Sequence, residues 1–137
     1  MIVLDTNVVS ELMRRAPDGK FAAWIDRQPQ ASLWTTSITI FELRFGLQTM
    51  PAGRKRSALT TVFEGFLDQI QGRVALFDVA AADRAAELAA ARKKKGRPGD
   101  SRDTMIAGII LAHRATLATR NTSHFEEISA IINPWSA

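Results

Sequence analysis

The chain of 137 residues contains no cysteine and no tyrosine, only two histidines, and no apolar run that approaches a membrane span. Without cysteine there is no disulfide framework, no thiolate zinc site and no cysteine nucleophile, and the composition agrees with a reducing, cytoplasmic setting. A bilayer-crossing helix needs about 20 predominantly apolar residues, so no membrane partner is expected. The opening Met1-Ile2-Val3-Leu4-Asp5 has no basic flank, and its apolar run stops at an acid. That reads as a buried strand rather than a signal peptide. There is no G-x-S-x-G and no glycine-rich phosphate loop ahead of a Lys-Ser or Lys-Thr pair, which removes two common routes to hydrolysis or phosphate binding. His113 and His124 lack a companion ligand spacing and read as a helix-end and a loop residue.

What is present is an ordinary balance, 46% hydrophobic and 23% charged. A chain of this length buries about two thirds of its unfolded surface, which suits a single domain over residues 1–137. The net charge is +4, with the cations grouped at Arg54-Lys55-Arg56, at Arg92-Lys93-Lys94-Lys95 with Arg97, and at Arg14-Arg15 with Lys20. Clustered cations suit a polyanion such as nucleic acid. The alternative is that they are the solvated faces of helices.

Apolar periodicity alternates between short strands and helices. Ile2-Val3-Leu4 leads into a helix carrying Val8, Val9, Leu12 and Met13, with Thr6 or Asn7 available as its cap. Phe21, Trp24 and Ile25 mark a second short helix. Ser32 to Thr36 favours a strand, and Ser37 offers a cap for a helix from Ile38 to about Met50. Further helices span the stretch from Leu59 to Ile70 and the alanine-rich stretch from Ala80 to Lys95, with Arg73 to Phe77 as a strand between them. Asp100 or Ser101 caps a helix to His113 or Arg114. Leu117 to Thr119 and Ala130 to Ile132 complete the strands. This alternation predicts an α/β domain with a parallel sheet and a site at the strand carboxyl ends.

Three acids interrupt apolar segments: Asp5 after Ile2-Val3-Leu4, Glu42 on the inward stripe of its helix, and Asp103 in a helix first turn on the side of Ile106 and Ala107. Desolvating an unpaired carboxylate costs several kcal/mol, so something must offset that cost. Taken singly, Asp5 could be a helix cap, Glu42 could pair with Arg44 or a distant arginine, and Asp103 could simply favour a helix dipole. Taken together they suit one or two Mg²⁺ or Mn²⁺ ions that polarise a phosphodiester and activate water, with no side-chain nucleophile needed. Asp100 can approach the same pocket or act only as a cap. Thr119, Arg120 and Asn121 can offer a hydroxyl, a cation and an amide, or only form a turn.

The sequence resembles the PIN-domain ribonucleases, most closely the VapC and FitB-like toxins of type II toxin–antitoxin pairs. The resemblance runs through Ile2-Val3-Leu4-Asp5-Thr6-Asn7-Val8-Val9-Ser10-Glu11-Leu12, the helix around Glu42, Arg102-Asp103-Thr104-Met105-Ile106-Ala107-Gly108, and Leu117-Ala118-Thr119-Arg120-Asn121 leading to His124-Phe125 and Asn133-Pro134-Trp135. It implies a three-layer α/β/α domain and a Mg²⁺-dependent endoribonuclease site, Mn²⁺ substituting, with Asp5, Glu42 and Asp103 as the family acids. It also implies a VapB-like antitoxin that can displace the cation with an arginine, a homodimer, and a toxin–antitoxin hetero-oligomer. Thr6, Asn7, Asp100, Thr119 and Asn121 are supporting candidates, and Arg97, Arg102 and Arg120 are candidate contacts to RNA. Many family members carry a fourth acid where this chain has the neutral Asn121, so one firmly held ion is expected. Val9, Met13, Phe21, Trp24, Phe63, Phe66 and Leu67 exceed what a small monomer easily buries; core packing explains most, and partner contacts the remainder. Two other readings are a regulatory binding module and a phosphatase using Asp5 as nucleophile. The second needs an acid at the position held by Asn7.

Overall fold

Val3 and Leu4 are neighbours in an extended segment, so their side chains point to opposite faces, and both are fully buried. The sheet they belong to must therefore be covered on both sides. The computed structural model describes residues 1–137 and shows five strands, β1 (Ile2–Leu4), β2 (Leu33–Thr36), β3 (Val74–Ala75), β4 (Thr116–Ala118) and β5 (Ile131–Ile132), and six helices. These are α1 (Thr6–Leu12), α2 (Gly19–Asp26), α3 (Ser37–Thr49), α4 (Arg54–Ile70), α5 (Val79–Lys94) and α6 (Ser101–His113). The sheet order is β3-β2-β1-β4-β5, and every pairing is parallel.

Register carries the two-sidedness across the sheet. Val3 pairs with Leu117 and Leu4 with Ala118. Val3 and Leu117 join Leu88 of α5 and Ile106, Ala107 and Ile110 of α6 on one face. Leu4 and Ala118 join Val8, Val9, Phe21 and Trp24 of α1 and α2 on the other. The result is the expected three-layer α/β/α arrangement.

The alanine-rich α5 has its reason in α6. A Cβ built on Gly108 would lie 2.5 Å from the Ala81 carbonyl oxygen and 2.7 Å from the Ala85 Cβ. The two helices touch backbone to backbone, which only small residues permit.

The structure decides among the cap candidates of α1 and moves that of α3 back by one residue. Asp5, not Thr6 or Asn7, caps α1 by accepting the Thr6 N–H, and Thr36, not Ser37, caps α3 by accepting the Thr39 N–H. Both strands run straight into their helices, so the last extended residue is itself the cap. Ser37 Oγ accepts instead from the Phe77 N–H at 3.1 Å, tying α3 to the β3–α5 connection. The strand expected over Arg73 to Phe77 keeps only Val74 and Ala75.

Most of the apolar surplus is core: Val9, Phe21 and Phe63 are fully buried and Trp24 nearly so, while Met13, Phe66 and Leu67 are half-buried. The exposed large apolar side chains are others, including Phe41 and Phe45 on α3 and Leu76 and Val79 before and at the start of α5. No helix is long and apolar enough to cross a membrane.

Candidate active site at the strand carboxyl ends

Asp5 follows the last residue of the central strand and is 4% exposed. One carboxylate oxygen accepts the Thr6 N–H at 2.8 Å. The other accepts the Thr119 hydroxyl at 2.6 Å and the Asn7 amide at 3.2 Å. Burial pushes the Asp5 carboxyl above its usual range; the donors from Thr119, Thr6 and Asn7 pull it back, and the nearby charge of Asp103 raises it further. Neither Thr6 nor Asn7 is a bystander. Asn7 also accepts the Arg120 N–H at 3.0 Å, and Thr119 Oγ1 accepts the Asn121 N–H at 3.1 Å, so the turn after β4 is laced to the start of α1.

Glu42 reaches the same place from α3. Its Oε1 accepts the Thr6 hydroxyl at 2.9 Å, and Thr6 in turn lies 3.1 Å from the Thr39 hydroxyl. Desolvation raises the Glu42 carboxyl, opposed by Thr6 and Arg102, and the charges of Asp5 and Asp103 raise it further. Glu42 therefore feels the charges of both Asp5 and Asp103, while Thr6 links it to the start of α1. Arg44 does not neutralise Glu42, since it pairs with Glu64 at 2.7 Å. Arg102 stands 3.9 Å from both Glu42 and Asp100 and is half exposed, a loose pairing of little energetic weight.

Asp103 lies in the first turn of α6, which Asp100 caps through the N–H groups of Arg102 and Asp103. Asp100 is thus explained as a cap, although it also borders a polar cleft of about 440 Å³ beside Asp103. Two participants are not legible in the sequence. His124, expected as a plain loop residue, sets its Nδ1 3.0 Å from Asp103 Oδ2. Arg92, expected in a basic patch, is itself buried and pairs with the exposed Glu127 at 2.7 Å. Only the turn that carries Phe125 into the core brings these groups together, and no spacing signals it. Of the candidate RNA contacts, Arg97 lines the polar cleft, Arg102 faces Glu42, and Arg120 stacks over Trp135 at 4.9 Å. Asn121 contributes its backbone N–H to the network, and its side chain is exposed.

No three His, Asp or Glu side chains converge tightly enough to grip an ion unaided. The groups gathered here are carboxylates and hydroxyls with the Asn7 amide, and the buried Asp5 carboxylate is held by hydrogen bonds rather than by a cation. Such a set fits Mg²⁺ or Mn²⁺, which keep several waters and need only one or two carboxylates before substrate arrives.

Residues 2–131 match the PIN domain family. The chain is 46% identical over 137 residues to VapC ribonuclease Y4jK of Sinorhizobium fredii, covering 98% of each. It is 35% identical over 137 residues to toxin FitB of Neisseria gonorrhoeae, covering 98% of this chain and 99% of that one. The crystal structure of FitAcB from Neisseria gonorrhoeae superimposes with a TM-score of 0.90 at 34% identity, over 100% of both chains. With the sheet order, the two-sided core and nearly the whole sequence in agreement, this chain belongs to the PIN domain family.

Proposed function

We propose that the chain is the ribonuclease toxin of a toxin–antitoxin pair and that it hydrolyses RNA phosphodiesters at Asp5, Glu42 and Asp103 with Mg²⁺, or Mn²⁺ in its place. The observation that supports this reading is a group of neighbouring carboxylates, Asp5 at 4% exposure with Glu42 and Asp103 close enough for their charges to act on one another, faced by one loose arginine, Arg102 at 3.9 Å from Glu42. Asp5 and Asp103 would hold the ion. Bound there, it would supply charge to a phosphate oxygen and lower the cost of ionising water. Thr119 and Asn7 fix the Asp5 carboxylate, and Thr6 fixes Glu42, so neither acid has to reorganise during the reaction. Glu42, raised by burial, suits the uptake of a proton from the attacking water. Exposed Arg97, Arg102 and Arg120 surround this end of the sheet and would steer the polyanion.

An antitoxin helix would lie in the mainly apolar groove of about 730 Å³ between α1, α3 and α4, lined by Met13, Leu43, Leu47, Met50 and Val62 with Glu42 at its edge. An arginine from that helix would reach the acids and exclude the cation. Exposed Phe41 and Phe45 offer a face for a second copy of the chain. A phosphatase mechanism fares poorly, because Asn7 is committed as an amide donor to Asp5 and leaves no second acid.

Purified protein with Mg²⁺ should cut RNA, and Asp5→Asn or Asp103→Asn should abolish cutting while the circular dichroism spectrum is retained. Unchanged cleavage in both variants would put the activity elsewhere. Folded protein with neither metal affinity nor cleavage would favour a binding module. Expression alone should be lethal and should be rescued by the neighbouring open reading frame.

A further inference from the structure

Arg92 stands in a run of four cations yet is 8% exposed. Its Nε and Nη2 donate to the two oxygens of Glu127 at 2.9 and 2.7 Å. Nη2 also donates to the His124 carbonyl at 3.0 Å, and Nη1 to Thr104 Oγ1 at 3.0 Å. Thr104 is the neighbour of Asp103, and the His124 ring is what touches Asp103. One planar group therefore ties together the two backbone segments that carry the Asp103 to His124 contact. The loop before α6 lies flat against it, for a Cβ on Gly99 would sit 2.5 Å from Nη1.

We propose that Arg92 is a positioning residue of the acid site: it clamps the turn at His124 to the first turn of α6, so that His124 Nδ1–H steadies one oxygen of Asp103 and leaves the other for a ligand. This rests on the nuclease reading only for what the ligand is. A buried, bidentate arginine holding a neutral acceptor on each side has a fixed geometry that lysine cannot copy, since an ammonium is a point charge with no fork. Groups that orient the ligands of a metal commonly change affinity or activity by about 10- to 100-fold when lost.

The test uses the full chain with Arg92→Lys, which keeps the charge, and Gly99→Ala, which keeps the arginine but places a methyl group 2.5 Å from Nη1, so that the guanidinium must shift. In the metal-free protein, ¹⁵N NMR should show the His124 ring proton held on Nδ1, facing Asp103, and both variants should lose that tautomer preference while remaining folded. Mn²⁺ affinity should fall about 10-fold, and kcat for RNA should fall similarly with KM within about twofold. Folded variants that keep the ring proton on Nδ1, or that lose that preference with Mn²⁺ affinity unchanged, would overturn the proposal. A raised KM with unchanged kcat would make Arg92 an RNA contact instead, and also overturn it. Should the unsubstituted protein neither bind Mn²⁺ nor cut RNA, the nuclease reading fails by itself, and the ring-proton measurement alone decides the clamp. If Arg92→Lys does not fold, the same measurements on Gly99→Ala decide it.

Discussion

Replacing Thr119 by valine keeps the shape of a fully buried side chain and deletes the hydroxyl that donates to Asp5 at 2.6 Å. A hydrogen bond to a charged group contributes about 1.5–3 kcal/mol. The extra buried methyl returns up to about 0.8 kcal/mol. The Asn121 N–H loses its acceptor too, but that residue is exposed and water can replace it. The expected net loss at neutral pH is about 1–2 kcal/mol, or a fall in Tm of roughly 3–8 °C for a chain of this size. The pH dependence has a definite sign. The Asp5 carboxyl is raised by burial, so in the metal-free protein its ionisation opposes folding, and acidification through its folded value towards 3.8 relieves that cost. Thr119 favours the ionised form, so the valine variant shows its full deficit when Asp5 is charged and a smaller one after protonation. Thermal denaturation at neutral and mildly acid pH, without metal, measures both. An unchanged Tm, or a deficit equal at the two pH values, would refute the view that this hydroxyl sustains the Asp5 charge.

Other perturbations have equally definite outcomes. Gly108→Ala drives a methyl to 2.5 Å from the Ala81 carbonyl; overpacking of about 1–3 kcal/mol outweighs a helix-propensity gain of at most about 1, so urea denaturation should show a lower midpoint, and a higher one would deny the close approach of α5 and α6. Calorimetric titration of the free protein with Mn²⁺ should show one tight ion, because Asn121 brings no carboxylate and His124 rather than an acid faces Asp103; two equally tight sites would contradict this. Phe45→Glu should convert dimers to monomers in analytical ultracentrifugation, given that this ring is 56% exposed; an unaltered sedimentation coefficient for a dimeric protein would move the interface to another face.

The strands and helices are legible in the sequence because each apolar run is short and its period clear. The acids are legible because charge in the middle of such runs demands an explanation. The cap of α3 shifts by one residue, and that of α1 is left open among Asp5, Thr6 and Asn7, because a residue that caps a helix and a residue that ends a strand share the same extended backbone geometry at Asp5 and Thr36. Arg92 is hidden for a different reason. Four consecutive cations must point in different directions around a helix, and composition does not say which one turns inward to Glu127. The partnership of His124 with Asp103 depends on a turn separated from α6 by a whole strand, which no local pattern encodes. The groove between α1, α3 and α4 is equally hidden, since Met13 and Val62 look like ordinary core positions until the packing leaves them at an edge.

The central place of β1 has a consequence during synthesis. Ile2 must pair with Leu33 on one side and with Thr116 on the other, so the earliest strand to be translated waits for nearly the last. A nascent chain still short of Thr116 has a half-built sheet, and it lacks Thr119 to fix the Asp5 carboxylate. The topology thus withholds a finished acid site until the residues from Thr116 to Thr119 have been made.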